Sequence, residues 1–261
     1  MKLHKMSVAV ALRLMLSEEA LVPKQLLKET RQIKQAVRMI VRAFRRGGRL
    51  CYVGAGTSGR LGVLDASECP PTFSTPPDMV QAIIAGGAAA LTTSIEGAED
   101  DFLAGARAVE FRRITSRDVV VGIAASGTTP FVWGALSEAK RRRANTVLLC
   151  FNPFLRIPRA RQPDILIAPD LGPELLTGST RLKAGTATKL VLNIFTTLAM
   201  VQIGKVISNL MVDLQPANTK LKDRATRIVQ ELAKLNYKDA RGALEQSGWS
   251  IKKAVKRLSG K

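Results

Sequence analysis

The segment Gly54-Ala55-Gly56-Thr57-Ser58-Gly59 is built from residues small enough for backbone N–H groups to converge. An apolar run precedes it and a helical pattern follows, so an anion placed there would meet both the amides and the positive end of a helix. A phosphate is the natural guest. The spacing fits neither a P-loop nor a complete dinucleotide fingerprint, and a tight strand-to-helix turn accounts for it equally well. Repetition adds weight. Ser126-Gly127-Thr128-Thr129 follows a second apolar run, and Thr177-Gly178-Ser179-Thr180-Arg181-Leu182-Lys183-Ala184-Gly185-Thr186 precedes a long helical pattern. Three hydroxyl clusters suit a sugar phosphate better than a nucleotide, because hydroxyls and amides satisfy the acceptor oxygens while Lys183 or Arg181 supplies charge. The plainer reading of the third cluster is a helix cap, with Ser179 or Thr180 at the N-cap and Lys183 solvated.

Two groups of carboxylates are candidates for proton transfer. Glu68 lies near the end of the helix that follows the first glycine turn, where the helix dipole disfavours an acid, so capping does not explain it. Glu96 and Glu99 fall in an acidic cluster at another helix start, where they would serve equally well as caps. Cys51, Cys69 and Cys150 are too few and too scattered for a disulfide framework, and with His4 as the single histidine no zinc-ligand cluster can be assembled. Metal-free chemistry in a reducing cytoplasm is the expectation.

The elements that must hold these residues follow from periodicity. Continuous rather than alternating apolar runs at Leu50 to Val53, Val80 to Ala85, Val119 to Ala124, Thr146 to Phe151 and Ile165 to Ala168 suit strands covered on both faces. Helical patterns alternate with them: one long amphipathic helix from Pro23 to Arg46, others at Glu99 to Phe111 and from Pro130 to about Arg143, and a nearly all-apolar one from Lys183 to Ile207. That last helix reads as buried, plausibly against another subunit. The alternation predicts an α/β doubly wound, parallel sheet. The chain divides into a domain of residues 1–220 and a small, basic helical appendage of residues 221–261 with two short helices around Gly248.

At 261 residues and 46% apolar, the chain can bury a real core, which excludes disorder and a staple-dependent scaffold. The net charge of +19 would attract polyanions. Aromatics are 5% and none is interleaved with the basic runs, so the charge predicts salt-dependent attraction and no specific nucleic-acid recognition. Apolar runs are interrupted short of the roughly 20 residues a bilayer requires, so no membrane span is expected. Ser7 to Leu16 follows basic residues as an export signal would, but Arg13 interrupts it, and a helix is the better reading.

The string from Tyr52 through Gly54-Ala55-Gly56-Thr57-Ser58-Gly59-Arg60-Leu61-Gly62 into Asp65-Ala66-Ser67-Glu68-Cys69-Pro70-Pro71-Thr72 resembles the N-acetylmuramic acid 6-phosphate etherases of the sugar isomerase superfamily. Ile84-Ala85-Gly86-Gly87, Glu96-Gly97-Ala98-Glu99-Asp100, Val120 to Gly127, Gly178 to Thr186 and Asn209-Leu210-Met211-Val212-Asp213 follow in the family's order, so the resemblance covers roughly residues 15–230. It implies a three-layer α/β/α fold, a homodimer, and cleavage of the D-lactyl ether at C3 to give N-acetylglucosamine 6-phosphate and D-lactate. It makes Glu68 and Glu99 the acid/base pair, with neither metal nor redox cofactor required. Combined with the anion-nest reading, it gives Gly56, Thr57, Ser58, Ser126, Gly127, Thr129, Ser179, Thr180 and Lys183 as phosphate or sugar contacts. Two departures stand out. The family's Ser-Gly-Arg-Thr-Pro reads Ser126-Gly127-Thr128-Thr129-Pro130 here, which implies either that Lys183, Arg181 or Arg60 replaces the missing cation or that substrate preference differs. The segment before the first long helix is also shorter than the family's, which predicts a reduced dimer-completing or site-closing element. The nearest rival reading is a regulator of the same superfamily that senses a sugar phosphate without turning it over, as the glucokinase regulatory protein does; an aldose-ketose isomerase comes third.

Overall fold

Strands that are apolar on both sides need cover on both sides, and the architecture is organised around that requirement. A computed structural model describes residues 2–213 and 218–259. Its centre is a five-stranded parallel sheet of β1 (Leu50–Gly54), β2 (Val80–Ile84), β3 (Val119–Ile123), β4 (Asn145–Leu149) and β5 (Ile165–Ile167), in the order β2-β1-β3-β4-β5. Leu50 lies opposite Val80 on one side and Val119 on the other. The expected strands are therefore all present.

One face is covered by α2 (Leu21–Lys28), α3 (Thr30–Arg45), α4 (Gly56–Phe73) and α7 (Lys183–Gln202), whose side chains share a core with Tyr52, Val121 and Leu149. The other face is covered by α5 (Phe102–Phe111) and α6 (Pro130–Arg141), packed on Cys51, Val53, Val120 and Leu148. Alternate residues of each strand thus serve alternate faces. This is the three-layer α/β/α sandwich. Because β2 and β3 lie on opposite sides of β1, the sheet reverses its direction of growth between β1 and β3, and a crevice opens at the carboxyl ends of those strands.

Two helices differ from expectation. The single helix from Pro23 to Arg46 is two, interrupted at Glu29, where the Thr30 hydroxyl donates to the Leu27 carbonyl and offers the chain a local alternative to the helical ladder. The apolar period runs through the break because α2 and α3 pack into one cluster. The pattern expected to reach Ile207 ends at Gln202, and a hairpin of β6 (Val206–Ile207) and β7 (Leu210–Met211) follows. At 20 residues α7 is long and apolar enough to cross a membrane, contrary to the reading of its runs as too short, yet 56% of its apolar 18-residue stretch is buried within this fold, as in a core helix. The N-terminal segment forms α1 (Val8–Glu19), capped by Ser7.

Beyond the sheet, α8 (Thr219–Ala233), α9 (Tyr237–Gln246) and α10 (Ile251–Leu258) form a three-helix unit, one helix more than expected. Asn218, Asn236 and Ser250 accept a backbone N–H at the three N-termini. Val212, Val229, Leu244 and Ile251 make a separate small core. Asp213 ties it to the sheet domain, accepting from Lys205 Nζ and Lys252 Nζ at 2.9 Å each. The first of these helices, α8, begins at Thr219, two residues before the expected start of the appendage at residue 221.

Candidate active site

The first glycine turn leaves β1 and enters α4 directly. Gly56 has a φ of +50°, which few other residues adopt without strain. Gly59 lets α4 approach the strand: a Cβ there would fall 2.6 Å from Ile84 Cγ1 and 2.8 Å from the Gly54 carbonyl oxygen. Among the described residues no side chain caps the N-terminus of α4, whose N-cap is the extended Ala55. Its first amides are therefore free to receive an anion.

The third hydroxyl cluster comes to the same place. A Cβ on Gly185 would stand 3.7 Å from Thr57 Cγ2, so α4 and α7 begin side by side and run parallel. The second cluster lies at the end of the neighbouring β3. There Ser126 Oγ and Thr128 Oγ1 are 2.8 Å apart, Thr128 N donates to Ser126 Oγ at 3.2 Å, and Asn152 Nδ2 and Trp133 Nε1 fix the carbonyls of Ser126 and Gly127. Thr57, Ser58, Ser126, Thr129, Ser179 and Thr180 all retain solvent access. Gly127 is buried, with its φ at +78°.

The cations are arranged differently from expectation. Lys183 is 2% exposed, and its Nζ donates to Glu18 of α1 at 2.7 Å. Arg60 is spent on the loop after β2, donating to the carbonyls of Leu91 and Thr93 at 3.1 Å each. Of the three candidates to replace the family's arginine, Arg181 alone is exposed and lacks a partner among the described residues. Nor do Ser179 and Thr180 cap α7. The Glu174 carboxylate does, accepting from Lys183 N at 3.0 Å and Ala184 N at 2.9 Å. That residue gave no local signal, because it precedes the helix by nine positions and only the fold returns it there.

The two candidate acids occupy different places. Glu99 lies in a single 3-10 turn, Ala98–Asp100, after β2. Ala98 packs into the second core beside α6, which starts immediately after the Ser126 turn. Capping of α5 falls to Asp101, which accepts from Ala104 N at 2.8 Å, and Glu99 stands exposed at the carboxyl edge. Glu68 is exposed too, free of any ion pair among the described residues, but it lies ten residues beyond Ser58 on α4, about 15 Å along the axis. That exceeds the distance from phosphorus to C3 in a hexose 6-phosphate. Within one chain the structure brings the hydroxyl clusters to the carboxyl edge, sets Glu99 on the segment that follows β2, and leaves Glu68 apart.

Asp65, one turn before Glu68, is a buried residue that sequence reasoning also passed over. It accepts from Tyr52 Oη at 2.8 Å, Asn193 Nδ2 at 2.7 Å and Thr196 Oγ1 at 3.2 Å, locking α4 to β1 and α7. Burial pushes its carboxyl above the usual carboxylate range, against the pull of those three donors.

An all-parallel sheet in this order defines a doubly wound α/β sandwich, whose ligands bind at the reversal point where the hydroxyl-rich turns lie. The fold resembles that of a phosphoheptose isomerase from Francisella tularensis, at a TM-score of 0.58 and 16% identity over 75% of this chain and all of that one. The family model of the glucokinase regulatory protein N-terminal SIS domain matches residues 32–140, and that of the same protein's C-terminal lid domain matches residues 208–259. The N-acetylmuramic acid 6-phosphate etherase of Gloeothece citriformis is 52% identical over 97% of this chain and 82% of its own length. That of Rhizobium rhizogenes is 55% identical over 91% and 77%. The chain belongs to the N-acetylmuramic acid 6-phosphate etherase family.

Proposed function

We propose that this chain is an N-acetylmuramic acid 6-phosphate etherase, a carbon–oxygen lyase that releases D-lactate and N-acetylglucosamine 6-phosphate. The observation that carries the reading is the family membership, at about half identity over nearly the whole chain, together with both acid positions being filled by Glu68 and Glu99. The open amides of α4 and the hydroxyls of Ser58, Ser126, Thr129, Ser179 and Thr180 support phosphate binding at the carboxyl edge. Gly56, Thr57 and Gly127 shape that nest. Lys183, whose charge is taken up by Glu18, contributes through the order it imposes on the start of α7.

Ring opening creates a C1 aldehyde that acidifies the C2 proton. A carboxylate removes that proton, the C3–O bond breaks as the C2–C3 double bond forms, and a protonated carboxyl delivers a proton to the departing lactate oxygen. Water then adds at C3 and a proton returns to C2. Glu68 protonates the leaving oxygen; Glu68 and Glu99 share the remaining transfers. No redox cofactor enters this balance. The positive surface draws in a substrate that carries both phosphate and carboxylate.

A homodimer, residence in the cytoplasm and a division into a catalytic domain of residues 1–220 and a basic appendage of residues 221–261 belong to the same reading. Three buried free cysteines support a reducing compartment. Incubating the protein with N-acetylmuramic acid 6-phosphate and measuring D-lactate tests the proposal: sustained release is expected. Tight binding with no release would favour the regulator, whose name the two matching family models carry.

A further inference from the structure

At the end of the sheet opposite the nest, arginines from four separate segments line up. Because the strands are parallel, the segments entering β1, β3, β4 and β5 all open on the amino edge, and they carry Arg49, Arg117, Arg143 and Arg161 in the spatial order of the strands. The row crosses three inter-strand steps, about 14 Å. Arg49 donates to the carbonyls of Arg112 and Arg113 at 3.1 and 2.8 Å, and the Arg142 guanidinium reaches Glu110 on the next helix at 3.2 Å, so the segments touch. The carboxylates along this stretch are already neutralised, Asp118 by Arg49, Glu110 by Arg142 and Glu138 by Arg141. Arg113, Arg117 and Arg143 stay exposed, with no side-chain partner among the described residues.

The helix ends add a second observation. α3, α5 and α6 all stop here in the same turn, in which one N–H bonds to the carbonyl three residues back and the next N–H to the carbonyl five residues back. The left-handed residue of that turn is Gly47 in α3, the usual choice, but Arg113 and Arg143 in α5 and α6, at φ of +49° and +61°. Glycine would avoid the strain that a side chain brings there. The helix dipole accounts for a cation in a last turn, not for Arg117 and Arg161 between elements. Phe111, the last residue of α5, is 83% exposed beside Arg112 and Arg113. At the other end of the row, α6 and the 3-10 turn Arg159–Arg161 enclose a cavity of about 290 Å³ with Ser137, Lys140, Arg141, Arg161 and Gln162 in its wall.

Guanidinium groups grip phosphates two-pronged, and one exposed ring can stack on a base but offers too little apolar surface for a bilayer. We propose that the amino edge of the sheet binds single-stranded nucleic acid without regard to sequence, the arginine row taking successive phosphates and Phe111 one base. Spacing along the chain hid the site, since only the parallel sheet brings its four segments together. It owes nothing to the etherase reading.

Fluorescence anisotropy with a labelled oligouridylate of about 12 nucleotides tests the proposal. The triple variant Arg113→Gln, Arg117→Gln, Arg143→Gln should bind at least tenfold more weakly than wild type, and its slope of log affinity against log salt should be shallower by about 2, the worth of three phosphate contacts to a single strand. Lys238→Gln with Lys253→Gln and Lys256→Gln removes the same charge from exposed positions of the C-terminal unit and should cost less than about threefold. Equal losses from the two triple variants would mean attraction to net charge alone and overturn the site, as would a wild type that fails to bind the oligomer. Phe111→Ala should weaken binding at least about fivefold, and unchanged affinity would overturn the assignment to single strands. Vesicles of equal parts phosphatidylglycerol and phosphatidylcholine should not displace the oligomer; displacement would overturn the proposal in favour of a membrane contact. Circular dichroism and D-lactate release should match wild type in every variant. If the arginine triple fails to fold, Arg113→Gly with Arg143→Gly, which relieves the left-handed strain, makes the same comparison. A wild type that binds the oligomer but releases no lactate would overturn the etherase reading and leave this site standing.

Discussion

Glu174 closes the end of the helix that Lys183 begins: its carboxylate accepts the amides of Lys183 and Ala184 at 3.0 and 2.9 Å, so the start of α7 already holds an anion from the chain itself. The neighbouring start of α4 does not, and the two adjacent helix ends are chemically unlike. Glu174→Ala should lose about 1 to 2 kcal/mol of stability, the ordinary worth of an N-terminal cap. Urea unfolding followed by circular dichroism checks this, and an unchanged midpoint would deny the cap any role.

The exposed glutamates should separate activity from folding. Glu68→Gln and Glu99→Gln are each expected to lower D-lactate release by about 10²- to 10⁴-fold, the usual worth of a positioned acid or base. Both should unfold at the wild-type urea midpoint, because neither side chain is buried or paired among the described residues. Normal turnover by Glu68→Gln would remove it from the mechanism.

Acid should loosen the sheet through Asp118. Its carboxylate is buried before β3 and accepts from Arg49 N, Nε and Nη2 and from Thr115 N, joining the starts of β1 and β3. Burial alone would raise its proton affinity, but these donors hold it below the usual carboxylate range. The folded carboxyl thus releases its proton at lower pH than the unfolded one. The stability it lends is present above about pH 4, the unfolded value, and is lost as pH falls below that toward the folded value. Asp118→Ala should cost about 3 kcal/mol at neutral pH, because it strands the partly buried Arg49. It should also flatten the acid limb of a stability-against-pH curve, and a mutant with an unchanged limb would contradict the assignment.

The cysteines should be silent in the native state. Burial pushes the thiols of Cys51 and Cys69 up to about 12, and that of Cys150 above its ordinary value. Thiolate, the reactive form, is therefore scarce at neutral pH. A chromogenic disulfide reagent should label none of the three promptly in buffer and all three in denaturant. Fast labelling of Cys69, on the helix that carries Glu68, would mean that α4 opens locally.

Much of this was legible in the sequence because the signals were local. Continuous apolar runs located all five strands, and Gly54 to Gly59 marked the turn whose close packing and positive φ the structure displays. What stayed hidden depends on residues far apart in the chain. Glu18 reaches Lys183, Asp65 meets Asn193 and Thr196, and Arg60 turns from a candidate substrate ligand into a strut for the Leu91–Thr93 loop. No spacing rule exposes such pairs. The break at Glu29 was missed for the opposite reason, since two helices that feed one core share a single apolar period.

The most direct test of the chemistry follows oxygen. Turnover of N-acetylmuramic acid 6-phosphate in ¹⁸O-labelled water, read by mass spectrometry, should place the label on C3 of the amino sugar and release unlabelled D-lactate, because the ether oxygen leaves with lactate and water adds to the unsaturated aldehyde. Label in the lactate would show cleavage on the other side of the ether oxygen and contradict the account.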